Sequence, residues 1–227
     1  MILLAIDTST ETASIALARD EQLIAETTWF CGQNHTVQLL LRIKDLLEKA
    51  GINIQTIGGI AVARGPGSFN GLRVGISTAK GLAFSLNVPL AGASTLEISA
   101  YQHAESGIPI CVIHNAGRNE IATATYQMID GCWQQLVPEH ITTLENLLEK
   151  THEKTLFCGE YIPDIVEVIN YKLNSLAVIA IAASIPRRAF YLAELGRRQI
   201  ISGKCEPVAS LQPLYLRRPP ITERKHV

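Results

Sequence analysis

One order of strands and helices is predicted twice along this chain, and this repeat constrains the fold more than any other feature. In the first half, three apolar runs precede a helix over 36–50, and strands and helices then alternate, which gives the order βββαβαβα. The same order starts again near Pro109 and ends with a helix over 186–201. The order predicts mixed sheets with helices packed on them, so we expect an α/β protein.

Aligning the two halves by this order places Asp7 of the first half over Asn115 of the second, 108 residues later. Each of these residues ends an apolar run that is expected to be the first strand of its half. We therefore expect two similar domains, the first over residues 1–106 and the second over residues 107–227.

The composition supports a substantial core and argues against simple electrostatic capture of nucleic acid. Of the 227 residues, 47% are hydrophobic and 18% are charged, and the net charge is −1. The end of the chain is locally basic, because Glu223 stands among four cationic residues: Arg217, Arg218, Arg224 and Lys225. We interpret this stretch as a solvated tail, with a contact to RNA or to a partner protein as the alternative.

The cysteines and the apolar runs indicate the cellular compartment of the protein. The 5 cysteines are scattered and form no CxxC pair, so neither a disulfide framework nor a zinc site is indicated. The longest apolar run, over 176–185, is about half a membrane span, and the first residues lack the basic region of a signal peptide. We therefore expect a reduced, cytoplasmic protein that does not interact with membranes.

The glycine-rich segment over 64–83 predicts a tight turn followed by a helix. Gly65, Pro66 and Gly67 suit the turn, and either Ser68 or Asn70 can cap the helix that follows. Four small residues then recur every fourth position and form one ridge of the helix: Gly71, Gly75, Ala79 and Ala83. Each helical glycine costs roughly 1 kcal/mol relative to alanine. The ridge therefore predicts close approach by another backbone, either within the domain or from a partner helix.

The helix predicted over 36–50 carries apolar residues on two sides, which is typical of a helix that is sandwiched or meets a partner. Together with the ridge, it predicts a helical surface that binds another protein. Arg73 would reach a phosphate or a partner carboxylate from this surface, or else remain solvated. The residues expected at the partner interface are His35, Leu39, Leu40, Ile43, Gly71, Arg73, Val74, Gly75, Thr78, Ala79 and Leu82.

Three segments together resemble the bacterial TsaB (YeaZ) family: the opening MILLAIDTSTETASIAL, the central GPGSFNGLRVGISTAKGLA and the later PLYLRRP. The resemblance covers nearly the whole chain in the same order. It implies two ribonuclease-H-like domains of the actin-like ATPase superfamily and a part in making threonylcarbamoyladenosine in tRNA. It also implies a catalytic TsaD-type paralogue as partner and a TsaE-type ATPase at their junction. Contact with tRNA is expected only through the complex, and the sequence leaves open whether the isolated chain forms a homodimer.

Active members of that superfamily hold a nucleotide between their domains, with an acidic residue at the end of the first strand of each. Asp7 stands at the first of these positions, but Asn115 stands at the second and brings no charge to a magnesium site. Many relatives read Asp-Ala-Arg there, whereas this chain reads Asn-Ala-Gly-Arg. The alternative for Asp7 is that it binds no metal or nucleotide and caps its own turn. The residues expected to contact nucleotide or another anion are Asp7, Thr8, Ser9, Gly65, Gly67 and Ser68.

Other catalytic motifs are missing from the sequence. It contains no GxxxxGK[ST], no GxSxG and no pair of histidines four residues apart. The chain is therefore expected to be a pseudo-enzyme with no cofactor of its own, and ATP and magnesium would lie at the junction of the complex. The alternative is a free-standing actin-like small-molecule kinase or ATPase, in which Asp7 binds metal and another acid, such as Glu120, replaces Asn115.

Overall fold

A computed structural model describes residues 1–32, 34–180 and 186–217 of the chain. The elements of the first half are β1 (Ile2–Asp7), β2 (Thr12–Arg19), β3 (Gln22–Phe30), α1 (His35–Ala50), β4 (Ile57–Ala63), α2 (Phe69–Leu86), β5 (Leu90–Ala93) and α3 (Thr95–Tyr101). Those of the second half are β6 (Ile110–Gly117), β7 (Glu120–Ile129), β8 (Cys132–Thr142), α4 (Leu144–Glu149), β9 (Thr155–Cys158), α5 (Ile162–Leu173), β10 (Ala177–Ile179) and α6 (Ala189–Ile201). Short 3-10 turns lie at Ile54–Thr56, Ala104–Ser106 and Asn174–Leu176.

Each half builds one five-stranded sheet with the same arrangement. The first sheet has the order β3-β2-β1-β4-β5, and the second, β10-β9-β6-β7-β8, is the same order read from the other edge. In both, the first three strands of the half pair antiparallel and the next two pair parallel. The predicted α/β class and the repeated order βββαβαβα are thereby confirmed.

The last helix of each half packs against the sheet of the other half. Helix α6 lies on the first sheet, where Gly196 lets its backbone approach Ala61: a Cβ atom on Gly196 would be 2.5 Å from that of Ala61. Helix α3 lies on the second sheet, where Leu96 packs with Val112 and Tyr126. Residues 106 and 107 lie between the last strand of the first sheet and the first strand of the second, while α3 and α6 each pack on the sheet of the other half. The division into domains over 1–106 and 107–227 stays a prediction.

Helices α1 and α2 pack side by side on one face of the first sheet. Helix α1 ends, as predicted, at Gly51, whose φ of 64° lets its N–H reach the carbonyls of Leu47 and Glu48. Of the two candidate caps for α2, Ser68 is the cap, because its side chain accepts a hydrogen bond from the N–H of Gly71 at 3.3 Å. The starts of the two helices lie close together, beyond the carboxyl end of β1.

Among the described residues, no helix is long and apolar enough to cross a membrane. All five cysteines are free, and three of them are buried: Cys31, Cys111 and Cys158. Most of the basic stretch at the end of the chain, including Arg218, Arg224 and Lys225, lies outside the described residues, as do positions 181–185 of the longest apolar run.

Candidate functional site

The carboxyl end of β1 carries a buried ion pair between Asp7 and Arg187. Both side chains are 1% exposed, and the guanidinium Nε donates to Asp7 Oδ2 at 2.9 Å. The other carboxylate oxygen, Oδ1, accepts from the backbone N–H of Ser9 at 2.9 Å and from its hydroxyl at 2.5 Å. Asp7 therefore does cap its own turn, as one of the two predicted readings has it, and it also neutralises a buried arginine.

Arg187 makes further contacts around the same point. Its Nη2 donates to Ser9 Oγ at 3.1 Å and to Thr10 Oγ1 at 2.9 Å. Its Nη1 donates to Glu160 Oε1 at 2.8 Å, and Thr10 Oγ1 donates to the same oxygen at 3.0 Å. Because Glu160 follows β9 of the second sheet, the cluster joins the two halves of the chain.

The charges in the cluster stabilise one another. Burial raises the pKa of the Asp7 carboxyl, but the charge of Arg187 and the hydrogen bonds from Ser9 outweigh it and hold the pKa below its ordinary value. Burial likewise lowers the pKa of Arg187, and Asp7 and Glu160 more than reverse that effect. Burial and the neighbouring Arg187 lower the pKa of His114 to about 3, so this histidine is neutral at physiological pH.

These residues do not fit the magnesium-bound nucleotide that the superfamily implies. Both carboxylate oxygens of Asp7 already accept hydrogen bonds, and the adjacent position is filled by a guanidinium cation. Asn115, at the equivalent place in the second half, is exposed, and its Oδ1 accepts from the N–H of Gly117 at 2.7 Å. Glu120, the other acid considered for a metal site, forms an ion pair with Arg217.

The glycine-rich turn before α2 packs tightly on the end of β1. The N–H of Ser68 donates to the carbonyl of Ser9 at 2.7 Å, and a Cβ atom at Gly67 would overlap that carbonyl. Gly65 is buried, and a Cβ atom there would collide with the carbonyl of Leu214. Of the residues predicted to contact an anion, Asp7, Thr8, Ser9 and Gly65 are thus enclosed by the protein, whereas Gly67 and Ser68 are exposed.

An open cleft of about 520 Å³ lies beside this cluster, between the two sheets. Glu11, Ser68, Glu160 and Asp164 contribute polar groups to its lining. The segment over 214–217 forms another part of the wall. Glu11 and Asp164 are exposed and would repel the phosphates of a nucleotide that arrived without a metal, while the one arginine among the described residues of the lining, Arg217, is paired with Glu120.

The segment that leads to this wall is anchored on the first half. Leu211 is 1% exposed and packs against Gly92, and the N–H of Leu214 donates to the carbonyl of Arg64 at 2.6 Å. Tyr215 stacks on Phe69 with 5.7 Å between ring centroids. Leu211 and Tyr215 therefore hold this part of the chain on the body of the protein.

The ridge of small residues on α2 faces the protein's own interior. A Cβ atom at Gly71 would overlap the carbonyl of Thr8, and one at Gly75 would overlap its hydroxyl, which donates to Gly71 O at 2.8 Å. Ala79 and Ala83 are buried in the core beneath. The backbone whose approach the ridge predicted is therefore that of Thr8 in the same chain, and the ridge is not available to a partner helix.

The remaining residues predicted at the partner interface divide by exposure. His35, Leu39 and Ile43 are buried on the inner side of α1, and burial lowers the pKa of His35. Leu40 and Arg73 are exposed, and Val74, Thr78 and Leu82 are half-buried. The interface prediction did not include four large apolar side chains that are exposed on these helices: Val37, Leu41, Phe69 and Phe84.

Two residues of the ion cluster were not found from the sequence: Arg187 and Glu160. They lie 180 and 153 positions after Asp7, and no local motif connects the three. The one available signal was that an aspartate at the end of a buried strand needs a cationic or hydrogen-bonding partner. Among the described residues, no group of three or more histidine, cysteine, aspartate or glutamate side chains is arranged to hold a metal ion.

Comparison with known proteins gives consistent matches over most of the chain. Residues 30–193 match the model of the TsaD family, described as tRNA N6-adenosine threonylcarbamoyltransferase. The tRNA threonylcarbamoyladenosine biosynthesis protein TsaB of Bacillus subtilis is 35% identical over 220 residues, which cover 96% of this chain and 94% of that protein.

Solved structures give the same result. YeaZ from Pseudomonas aeruginosa superposes with a TM-score of 0.79 at 26% identity, over 94% of this chain and 100% of that one. The activator of the 2-hydroxyisocaproyl-CoA dehydratase from Clostridium difficile, with bound ADPNP, superposes with a TM-score of 0.55 at 12% identity, over 95% and 100% of the two chains. This second likeness is one of fold alone.

Proposed function

Because the chain belongs to the TsaB (YeaZ) family of tRNA threonylcarbamoyladenosine biosynthesis proteins, we propose that it is a non-catalytic subunit of the enzyme that transfers the threonylcarbamoyl group. It takes part in the biosynthesis of threonylcarbamoyladenosine in tRNA. Its own contribution is to bind and support a catalytic TsaD-type subunit. A TsaE-type ATPase docks at the junction of the two, and tRNA is bound by the assembled complex.

The observation that carries the proposal is the outward face of α1 and α2. On α1, Val37, Leu40 and Leu41 are 69%, 58% and 60% exposed, and on α2 Phe84 is 84% exposed. Several large apolar side chains exposed on two adjacent helices indicate a surface that another protein covers. Such a contact needs on the order of 1,000 Å² of buried surface to be stable, which a helix pair of this length can supply.

The family match suggests which partner fits this face. The region that matches the TsaD family begins at residue 30 and so includes both α1 and α2. A TsaD-type protein is therefore expected to carry an equivalent helix pair. Two equivalent pairs can pack as a four-helix bundle with approximate two-fold symmetry, and a second copy of this chain could occupy the same face when the paralogue is absent.

The cluster around Asp7 supports the non-catalytic part of the proposal. A carboxylate that is neutralised by a buried arginine is not free to hold a metal ion and a phosphate. Any ATP and magnesium that the reaction needs are then bound by the partner subunits at the junction. The same argument weakens the alternative of a free-standing kinase or ATPase, which would require Asp7 as a metal ligand.

The test is size-exclusion chromatography with light scattering, using the native chain and two charged variants with the TsaD-type paralogue of the same organism. Leu41→Glu introduces a charge into the exposed face of α1. Tyr171→Glu introduces one on α5, where Tyr171 is 81% exposed, and serves as the control. We expect the native chain and Tyr171→Glu to form a 1:1 complex, and Leu41→Glu to elute as a folded monomer.

Two results would contradict the proposal. One is a Leu41→Glu variant that binds the paralogue as tightly as the native chain does. The other is magnesium-dependent ATP hydrolysis by the isolated chain that is lost when Asp7 is replaced. A homodimer that dissociates on addition of the paralogue would support the use of one face for both associations.

A further inference from the structure

We propose that Arg187 is a built-in cation that locks the two halves of the chain together, in the place where an active relative would need a metal ion. The orientation of the halves is then a property of the folded chain and does not depend on metal or nucleotide. This inference concerns the isolated subunit and goes beyond the function proposed above.

The guanidinium of Arg187 is surrounded by oxygen atoms. Its nitrogens contact four oxygens, which belong to Asp7, Ser9, Thr10 and Glu160, at distances of 2.8 to 3.1 Å. Two carboxylates and two hydroxyls are hard oxygen ligands of the kind that magnesium prefers. In this chain the planar guanidinium takes the place of a metal ion and donates hydrogen bonds to these oxygens, because its N–H groups point in several directions.

The contacts of Arg187 link residues of the first sheet to a residue of the second. Asp7, Ser9 and Thr10 follow β1 of the first sheet, and Arg187 stands just before α6, which packs on that same sheet. Glu160 follows β9 of the second sheet and accepts from both Arg187 and Thr10. Glu160 therefore links the end of β9 in the second sheet to the cation that is buried against the end of β1 in the first.

Arg187 is far more deeply buried than Glu160. The side chain of Arg187 is 1% exposed and that of Glu160 is 30% exposed. A buried arginine whose charge is paired on both sides is costly to remove, since either acid would be left without its counter-ion. The partly exposed Glu160 can be replaced at lower cost, because water reaches its position. This difference provides one variant that retains the fold and one that removes the cation.

The first experiment measures hydrogen exchange of the isolated chain by mass spectrometry. Glu160→Ala removes the acceptor from the second half and leaves Asp7 paired with Arg187. Asp164→Ala removes another acid from the lining of the same cleft and is the matched control. We expect exchange in the segments 8–12 and 159–164 to become about tenfold faster in Glu160→Ala and to stay unchanged in Asp164→Ala. Equal exchange in the two variants would overturn the lock.

The second experiment tests the cation position with Mn²⁺ as the probe, followed by electron paramagnetic resonance. Arg187→Ala frees the oxygens, whereas Arg188→Ala removes the neighbouring arginine, which pairs with Glu26 on β3. We expect the folded Arg187→Ala variant to bind Mn²⁺ at the position of the guanidinium. Neither the native chain nor Arg188→Ala is expected to bind Mn²⁺ at that position. A folded Arg187→Ala variant without Mn²⁺ binding would overturn the cation position.

A third measurement uses the native chain alone. We expect its melting temperature to be the same with EDTA and with magnesium and ATP, because the joining cation is part of the chain. A rise in melting temperature with magnesium and ATP that Glu160→Ala abolishes would overturn the proposal. Since the catalytic partner is absent from all three experiments, their failure would leave the proposed role in the complex untouched.

Discussion

Replacing Gly75 by alanine is expected to destabilise the protein, while the same replacement at Gly81 in the same helix is expected to stabilise it. Both glycines lie within α2, so the change in helix propensity is the same for both. Their surroundings differ: a Cβ atom at Gly81 meets nothing within 4 Å, whereas one at Gly75 overlaps the hydroxyl oxygen of Thr8. The pair of variants therefore isolates the effect of close packing from that of propensity.

The magnitudes follow from these contacts. Alanine in place of a helical glycine contributes roughly 1 kcal/mol, and Gly81→Ala should gain about that amount. In Gly75→Ala the Thr8 side chain must turn away and lose its hydrogen bond to Gly71 O, at a cost of about 1–3 kcal/mol, with overpacking of similar size. Subtracting the gain in helix propensity from these two costs leaves a net destabilisation of about 1–5 kcal/mol. For a chain of 227 residues each kcal/mol shifts the melting temperature by about 2–4 °C.

The assay is thermal unfolding followed by circular dichroism, at one protein concentration for all variants. The double variant Thr8→Ala/Gly75→Ala is the internal check, because removing the Thr8 hydroxyl also removes the overlap. Its loss of stability should be clearly smaller than the sum of the losses in the two single variants. A Gly75→Ala variant with the native melting temperature would refute the reasoning and would return the ridge to its other reading, contact with a partner helix.

Two further predictions concern stability at other sites. Burial and the nearby Glu139 raise the pKa of Glu97 from its ordinary 4.5 to about 7, so the free energy of unfolding falls as the pH rises from about 4.5 to about 7. Glu97→Gln should remove that fall and raise the free energy of unfolding at pH 8 by up to about 3 kcal/mol. The check is the urea midpoint of the native chain and of Glu97→Gln at pH 5 and at pH 8, and an equal change in midpoint between the two pH values for both proteins would contradict the prediction. Leu211→Ala should cost about 2–5 kcal/mol and make the segment over 212–217 more sensitive to limited proteolysis, whereas unchanged cleavage would show that Leu211 does not anchor it.

The order of the elements could be predicted from the sequence because each is determined by neighbouring residues. The period of the apolar residues distinguishes strands from helices, and Gly51 terminates α1 through its own backbone geometry. The exchange of α3 and α6 between the two sheets could not be predicted in this way. It depends on which sheet offers the better fit, and here the small side chains of Ala61 and Ala91 admit Gly196 of α6.

The ridge on α2 shows where local information ends. Its spacing correctly indicates close approach, by the backbone of Thr8 at Gly71 and by the Thr8 side chain at Gly75. The same spacing is equally compatible with an internal contact and with a contact to a partner. The choice depends on the position of Thr8, which is 63 residues before Gly71 and joins it by a hydrogen bond. Arg187 is a similar case, because its partners Asp7 and Glu160 come together only when both sheets have formed.

The closed end of β1 and the exposed face of the helices beside it are built on the same set of contacts. The end of β1 is held by α2 through the carbonyls and hydroxyls of Thr8 and Ser9, and by Arg187 through Asp7. These contacts use the groups that a nucleotide and a metal would need. They also hold the start of α2 on the end of β1, and the His35 ring of α1 packs beside Gly71 at the same point. A rigid apolar face loses little conformational entropy when it binds. The two parts of the proposed function, a subunit that binds no nucleotide of its own and a helical face that binds a partner, are therefore compatible with one set of contacts.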